Sequence, residues 1–227
     1  GDDADTVLVA GCASTIIPEG TTQIRYDAFN GCVGLESIEI PNSVRYIESG
    51  AFDYCTGLKS AVINSQETGS FNYCSNLETL TIGKDVKRIN GSHFYGCTAL
   101  ANVIIDEDNT IYDSRDNCNA IIETASNKYI LASLNASIPS SVTSIASGAF
   151  NACVDFNMTI PTTVTSIEAN AFSVLNRLYF DSESPATIDG NIFGRGAVYV
   201  PTSAYDTYCN APVWKDYKDR IVTTEMA

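Results

Sequence analysis

Eight cysteines, one histidine and a run of acidic side chains are the residues of this 227-residue chain with the most chemistry to offer. Thiols in that number can build a disulfide framework or hold zinc. No Cys-x-x-Cys pair occurs, so the spacing of a zinc or thioredoxin-type site is lacking. Cys32, Cys55, Cys74, Cys97 and Cys153 instead each follow a phenylalanine by three residues. Such regularity predicts equivalent, inward positions, where a free thiol serves as a small apolar group. Cys12, Cys118 and Cys209 stand outside the pattern, and spacing does not give their redox state.

With His93 alone, a multi-histidine metal site is excluded. His93 stands where other segments carry a small alanine before phenylalanine, and reads as a variant accommodated beside Gly91 and Gly96. Asp106, Glu107, Asp108 and Asn109, with Asp113 and Asp116, suggest calcium. Counting from Asp106, an EF-hand needs glycine at the sixth place and glutamate at the twelfth. Those places hold Ile111 and Asn117, so a solvated acidic loop is expected. No Gly-x-Ser-x-Gly, P-loop or dinucleotide fingerprint occurs. The reading is therefore of a non-enzyme with no catalytic, cofactor or metal residues. Lys plus Arg is 13 and Asp plus Glu is 27, a net charge of −14. That balance argues against nucleic acid and against an anionic membrane surface. No apolar run is long enough to span a bilayer. The acidic start Gly1–Asp5 lacks the features of a signal peptide, so either the protein is cytosolic or a leader has been removed.

The elements that position these residues come from an internal repeat. With Pro18, Pro41, Gly83, Pro139 and Pro161 as register marks, Thr21, Val44, Val86, Val142 and Val164 follow three residues later. Ile24, Ile47, Ile89, Ile145 and Ile167 come six later, and Phe29, Phe52, Phe94, Phe150 and Phe172 eleven later. Phenylalanines 29, 52, 71 and 94 are spaced by 23, 19 and 23 residues. The 19-residue unit, 58–76, lacks its Pro-x-x-Val segment; the 56 residues between Phe94 and Phe150 hold an insertion, and a last degenerate unit carries Phe193.

A period of this length with Leu-x-x-Ile-x-Ile is the pattern of a leucine-rich repeat. It predicts strands over 35–40, 58–63, 77–82, 100–105, 156–160 and 178–180. Proline then ends each strand because it offers no N–H to the ladder. Val and Ile of the Ser-Val-x-x-Ile segment are expected to turn inward on the return side, and Ala-Phe-x-x-Cys to form a short helical turn. A single unit buries too little apolar surface to offset its backbone entropy, so units must stack.

The form Ile-Pro-x-Ser-Val-x-x-Ile-x-x-x-Ala-Phe-x-x-Cys-x-x-Leu, clearest over 40–58 and 138–153, resembles the BspA-like leucine-rich repeats of bacterial surface proteins. The resemblance implies a β-rich α/β solenoid: a right-handed superhelix with a parallel concave sheet, an inserted β-hairpin and a C-terminal cap. As one domain over 1–227, it would place repeats at about 13–105 and 138–200, the hairpin at about 106–137 and the cap at 201–227. Asn109–Thr124 is similar to the family's hairpin, and Asp5–Cys12 to the tail of that element, equivalent to Tyr129–Leu134. On that ground, further repeats are expected upstream. Tyr205, Tyr208, Trp214 and Tyr217 are expected to cover the last coil. The shortened coil and Leu175 in place of cysteine depart from the pattern locally.

The family implies an extracellular or cell-surface, non-catalytic role in adhesion or protein recognition, with an extracellular protein or glycan as ligand, and no membrane insertion by this chain. A structural spacer and a glycan-binding accessory module are the alternatives. Alternation along the strands sends Ser37, Ser60, Thr79 and Asn102 outward in one column. Glu39, Val62, Thr81 and Ile104 form the other, with Tyr179 after the insertion. Apolar Val62 and Ile104 break the polar rule of a wet face and mark the expected contact surface.

Overall fold

Backbone groups of short strands find partners only in neighbouring strands, so repeated units must bond to one another. The computed structural model describes residues 6–153, 157–172, 177–191 and 196–224. Phe156, Leu175 and Phe193 of the repeat columns lie outside the described residues. The first strands are β1 (Thr6–Leu8), β2 (Thr21–Ile24), β3 (Ser37–Ile40), β4 (Tyr46–Ile47), β5 (Ser60–Ile63) and β6 (Thr79–Ile82). There follow β7 (Asn102–Ile105), β8 (Tyr112–Asp113), β9 (Ala120–Glu123), β10 (Lys128–Ala132) and β11 (Ser144–Ile145). The last are β12 (Asn157–Ile160), β13 (Ser166–Ile167), β14 (Arg177–Phe180), β15 (Thr187–Ile188), β16 (Val198–Val200) and β17 (Ile221–Thr223).

Each coil carries a long strand on one face and most carry a short strand on the return face, whereas the shortened unit and the coil after it share only a single bridge there, Glu67 to Arg88. The long strands form two parallel sheets, β3-β5-β6-β7 and β12-β14-β16-β17. The first four strands begin two residues later than the spacing predicts. The expected first residue of each closes a turn instead: the amides of Leu35, Leu58, Leu77 and Leu100 donate to Cys32, Cys55, Cys74 and Cys97 carbonyls at 3.0 Å. On the return face, Val44, Val86, Val142 and Val164 are buried as expected, and the residues after Val44, Val142 and Val164 are also hydrogen-bonded strand, while Arg88 makes a single bridge to Glu67. The sheets of this face run β1-β2-β4 and β15-β13-β11-β10-β9-β8. Proline carbonyls anchor the bend between the faces: Pro18, Pro41, Pro139 and Pro161 each accept from the amide three residues on, at 3.0–3.1 Å. Gly83 replaces proline in the coil after the shortened one, where a Cβ would meet the Asn64 side chain at 2.3 Å.

The third side of each coil is the Phe-x-x-Cys segment. Among the described residues it is a series of hydrogen-bonded turns rather than a helical turn, with a 3₁₀ turn only at Gly91–Phe94. Here the core is a column of stacked rings. Phe29, Phe52, Phe71 and Phe94 lie with centroids 5.0, 4.9 and 5.8 Å apart, each nearly parallel to the next. A second column runs Tyr129, Phe150, Phe172 at 5.5 and 4.7 Å. Beside the first, Cys55, Cys74 and Cys97 thiols donate to the carbonyls of Phe29, Phe52 and Phe71, one coil back, each at 3.1 Å. Burial pushes the Cys97 and Cys153 thiols up to about 12, so they remain neutral. Cys32, expected inside, is half-exposed, since it stands in the first coil of the column, with no phenylalanine carbonyl from an earlier coil over it among the described residues.

The insertion folds as a hairpin of β9 and β10, extended by β8, with its turn at Thr124–Asn127 rather than within 109–124. It joins the return sheet, where β10 pairs in parallel with β11 as β1 pairs with β2. Gly11 N–H donates to Ala28 at 2.7 Å and Ala132 N–H to Ala149 at 2.8 Å, so the N-terminal strand occupies the place that β10 holds in the insertion. Asp113 fixes the hairpin: Arg115 reaches its two oxygens at 2.8 and 2.6 Å and Thr124 adds a bond at 2.8 Å. Partial burial opposes ionisation of Asp113, but these donors outweigh it and its pKa is lowered. At the other end, Tyr208 and Trp214 are buried, Trp214 edge-on to Phe180 at 5.1 Å, and β17 adds in parallel to β16. Tyr205 and Tyr217 pack at the rim, half-buried. Among the described residues no helix is long and apolar enough to cross a membrane.

Three outcomes follow from this packing. Phe52, fully buried between two rings, should cost ~3–5 kcal/mol when changed to alanine, read from denaturant unfolding; a loss below about 1 kcal/mol would remove it from the core. Alkylation without reductant should label Cys55, Cys74, Cys97 and Cys153 only after denaturation, and mass spectrometry should find no disulfide among them. The folded Asp113 carboxylate has a pKa below its unfolded value of about 3.9, so its stabilisation is complete above that value and lost as pH falls through the lower folded value. Asp113→Asn should therefore lower the melting temperature at about pH 7 and much less at about pH 3, followed by circular dichroism.

Candidate functional site

A parallel sheet is usually covered on both faces by the helices of its crossovers. In this chain the crossovers are turns at the sheet's edges, so one face of β3-β5-β6-β7 stays open. Ile38, Ala61, Leu80 and Val103 point to the core, with Ile40, Ile63 and Ile82 beside them. The alternate residues face out, and the strand register sorts them into two columns. Ser37 pairs with Ser60, Thr79 and Asn102 in order, and Glu39 with Val62, Thr81 and Ile104. Val62 and Thr81 are half-buried by their neighbours, whereas Ile104 is 51% exposed on the last strand.

Tyr179 is not brought next to Ile104. It lies in the second sheet, in the column Thr159, Tyr179, Tyr199, Val222. Its ring stacks on Tyr199 at 4.6 Å with an angle of 13°. Tyr199 belongs to the same face and was not among the expected contact residues; the alternation of Val198, Tyr199 and Val200 was the available signal.

Between the two sheets the edge of β7 is closed by a side chain. Asn119 accepts the Val103 amide at 2.8 Å and donates to the Ala101 carbonyl at 2.6 Å, as a neighbouring strand would. Asn119 itself is held by Ser133, whose hydroxyl donates to its carbonyl at 2.7 Å. Charged groups on this side are few and solvated. Asn64 donates to Glu39 at 3.1 Å, and the exposed Lys59–Glu36 pair at 3.2 Å contributes little.

Elsewhere the sequence candidates are accounted for locally. The His93 Nδ1 atom bonds the Gly69 carbonyl at 3.0 Å, in a cleft of about 450 Å³ that the shortened coil leaves beside Glu67, Arg88 and Tyr112. Asp106 accepts the Asp108 amide at 2.9 Å in a local turn. Cys12 is exposed, and hydrogen bonds from the Thr15 hydroxyl, 3.4 Å away, and from Ser14 lower its pKa to about 7. Among the described residues no three His, Cys, Asp or Glu side chains gather as metal ligands.

Comparison with known proteins adds the family. The description "BspA type Leucine rich repeat region" matches in six copies over residues 10–121 and 120–195. The fold is similar to that of the pneumococcal vaccine antigen PcpA, with a TM-score of 0.55 and 20% identity over 94% of this chain and 73% of that one. A leucine-rich repeat protein from Eubacterium ventriosum gives a TM-score of 0.50 and 18% identity, over 82% of this chain and 66% of the other. No curated protein matches the chain significantly. The repeat columns, the stacked coils and the six matched copies lead to one conclusion: the chain belongs to the BspA-type leucine-rich repeat family.

Proposed function

We propose that this chain is a non-catalytic recognition module of a cell-surface or secreted protein, and that it binds an extracellular protein through the open face of β3-β5-β6-β7. The observation that carries the reading is Ile104, a large apolar residue 51% exposed in the same column as Val62, on a parallel sheet with one uncovered side. Exposed apolar groups on an otherwise polar sheet are typical of contact surface. Ser37, Ser60, Thr79 and Asn102 form the polar flank, supplying hydroxyls and an amide with little charge. A rigid sheet face loses little conformational freedom on binding, which favours affinity. The family match supports the module, and the similarity to a vaccine antigen supports exposure outside the cell.

The immobilised chain, incubated with a panel of purified serum and extracellular-matrix proteins, should capture at least one of them. The Val62→Glu/Ile104→Glu double variant should keep its melting temperature, because outward substitutions typically change stability by about 0.5 kcal/mol or less. It should also lose the captured protein. Normal capture by this variant would place recognition elsewhere, and unfolding would mean that both residues belong to the core.

A further inference from the structure

On the turn side, away from the open sheet, three tyrosines form an exposed ridge. Tyr54 and Tyr73 stack at 4.7 Å with an angle of 9°, and Tyr95 meets Tyr73 edge-on at 5.4 Å. They are 49%, 42% and 36% exposed. Among the described residues, none of their hydroxyls has a hydrogen bond.

The backbone beneath two of them is unusual. Gly31, Tyr54, Tyr73 and Gly96 are equivalent positions, each two residues after a phenylalanine of the column, and their φ angles are 69°, 60°, 61° and 78°. The left-handed region favours glycine, and a bulky side chain there is strained. Inter-coil bonds impose it: the four amides donate to Asp53, Asn72, Tyr95 and Asn151 carbonyls at 2.9, 2.8, 2.7 and 3.2 Å. The outer coils answer this geometry with glycine, while the two middle coils carry a large aromatic at a cost. Strain retained at an exposed position points to a use for the side chain.

The use is indicated by what lies at the end of the row. A Cβ at Gly31 would meet nothing within 4 Å, so the position equivalent to Tyr54 in the preceding coil is open and carries no side chain. Val33, 65% exposed, stands two residues beyond Gly31. The stacked rings leave no groove between them for a proline-rich peptide, which needs a channel between aromatics. Asp53, which precedes Tyr54 and accepts the amide of Asn72 at 2.9 Å, together with the net charge of −14, disfavours an anionic ligand. A neutral pyranose with all its substituents equatorial fits this description. Its axial C–H groups meet the electron-rich face of Tyr54, and its hydroxyls find the unbonded tyrosine hydroxyls at the rim. We propose that the Tyr54–Tyr73–Tyr95 ridge is a second binding site, in which the open position beside Tyr54 receives one sugar ring of a neutral β-linked, all-equatorial glycan.

Cellotetraose and chitotetraose, titrated into the full chain by isothermal calorimetry and amide chemical-shift mapping, test the site. At least one should bind and shift the amides of residues 31–33, 54 and 73. Tyr54→Gly should weaken binding at least about tenfold while holding or raising the melting temperature, because the backbone then carries the residue that its conformation favours. Gly31→Tyr should also abolish binding, since its own ring takes the vacant place. The Val62→Glu/Ile104→Glu variant should bind the sugar as the unsubstituted chain does, which separates this site from the sheet face. Failure of both oligosaccharides to bind would overturn the proposal. So would binding that survives Tyr54→Gly, or a marked fall in melting temperature in that variant, which would make the ridge a packing element.

Discussion

The rest of this molecule depends on the column of rings at its turns. A phenylalanine of one coil has its two faces covered only when the coils before and after supply theirs. Stacking at about 5 Å matches the spacing of hydrogen-bonded strands, ~4.8 Å, so the ring column and the parallel ladder share one repeat distance. The carbonyls of Phe29, Phe52 and Phe71 then accept from the cysteine of the next coil, which ties the thiol position to the ring position. Once both are fixed, the strand that begins five residues after the cysteine has no freedom of register. The outward columns line up across coils for that reason, and side chains 20 or so residues apart in sequence become immediate neighbours on one surface.

Where a coil departs from the repeat, side chains stand in for the missing backbone. The shortened coil has no return strand, and the Glu67 carboxylate takes over: one oxygen accepts the Ile47 amide at 3.3 Å and the other pairs with Arg88 at 3.0 Å. Asn119 does the same for β7 with both halves of its amide. Tyr112 reaches from the hairpin to bond the Ile89 amide at 3.1 Å and the Lys87 carbonyl at 3.2 Å. Each of these groups meets a buried or half-buried backbone group that would otherwise be costly to leave unpaired.

Much of this was legible because the repeat compares the chain with itself. Phe29, Phe52, Phe71 and Phe94 set the period, and the period alone placed Ser37 beside Ser60 and Glu39 beside Val62. The limits of the strands were less legible, because Leu35 and its equivalents look like strand residues but spend their amides on turns. Return strands of two residues, such as Tyr46–Ile47, are too short to show any alternation. Asn119 and Glu67 could not be found from their type, since polar side chains of loops give no sign of bonding across to an older coil. Tyr54 and Tyr73 were visible as aromatics beside the turn, but a left-handed backbone is signalled by glycine, and nothing in the letter tyrosine announces it. Cys32 was misplaced inward because equivalence assumes an earlier coil to cover it.

The gap between β7 and β12 also has a mechanical meaning. Hydrogen bonds between coils point along the axis of a solenoid, so a force drawing its two ends apart loads them one rung at a time and peels the coils instead of shearing them together. At most junctions a peel must break bonds on all three sides of the coil. At this one, the long-strand sheets on the two sides are separate, the turn side contributes the Gly96–Asn151 bond, and the hairpin carries the load on the return face. The apolar interior divides into two clusters near the same place. Under tension the chain therefore has a built-in seam, with the open face of the first sheet on one side and the tyrosine pair of the second on the other. Stretching would change the distance between those two surfaces before either lost its own shape.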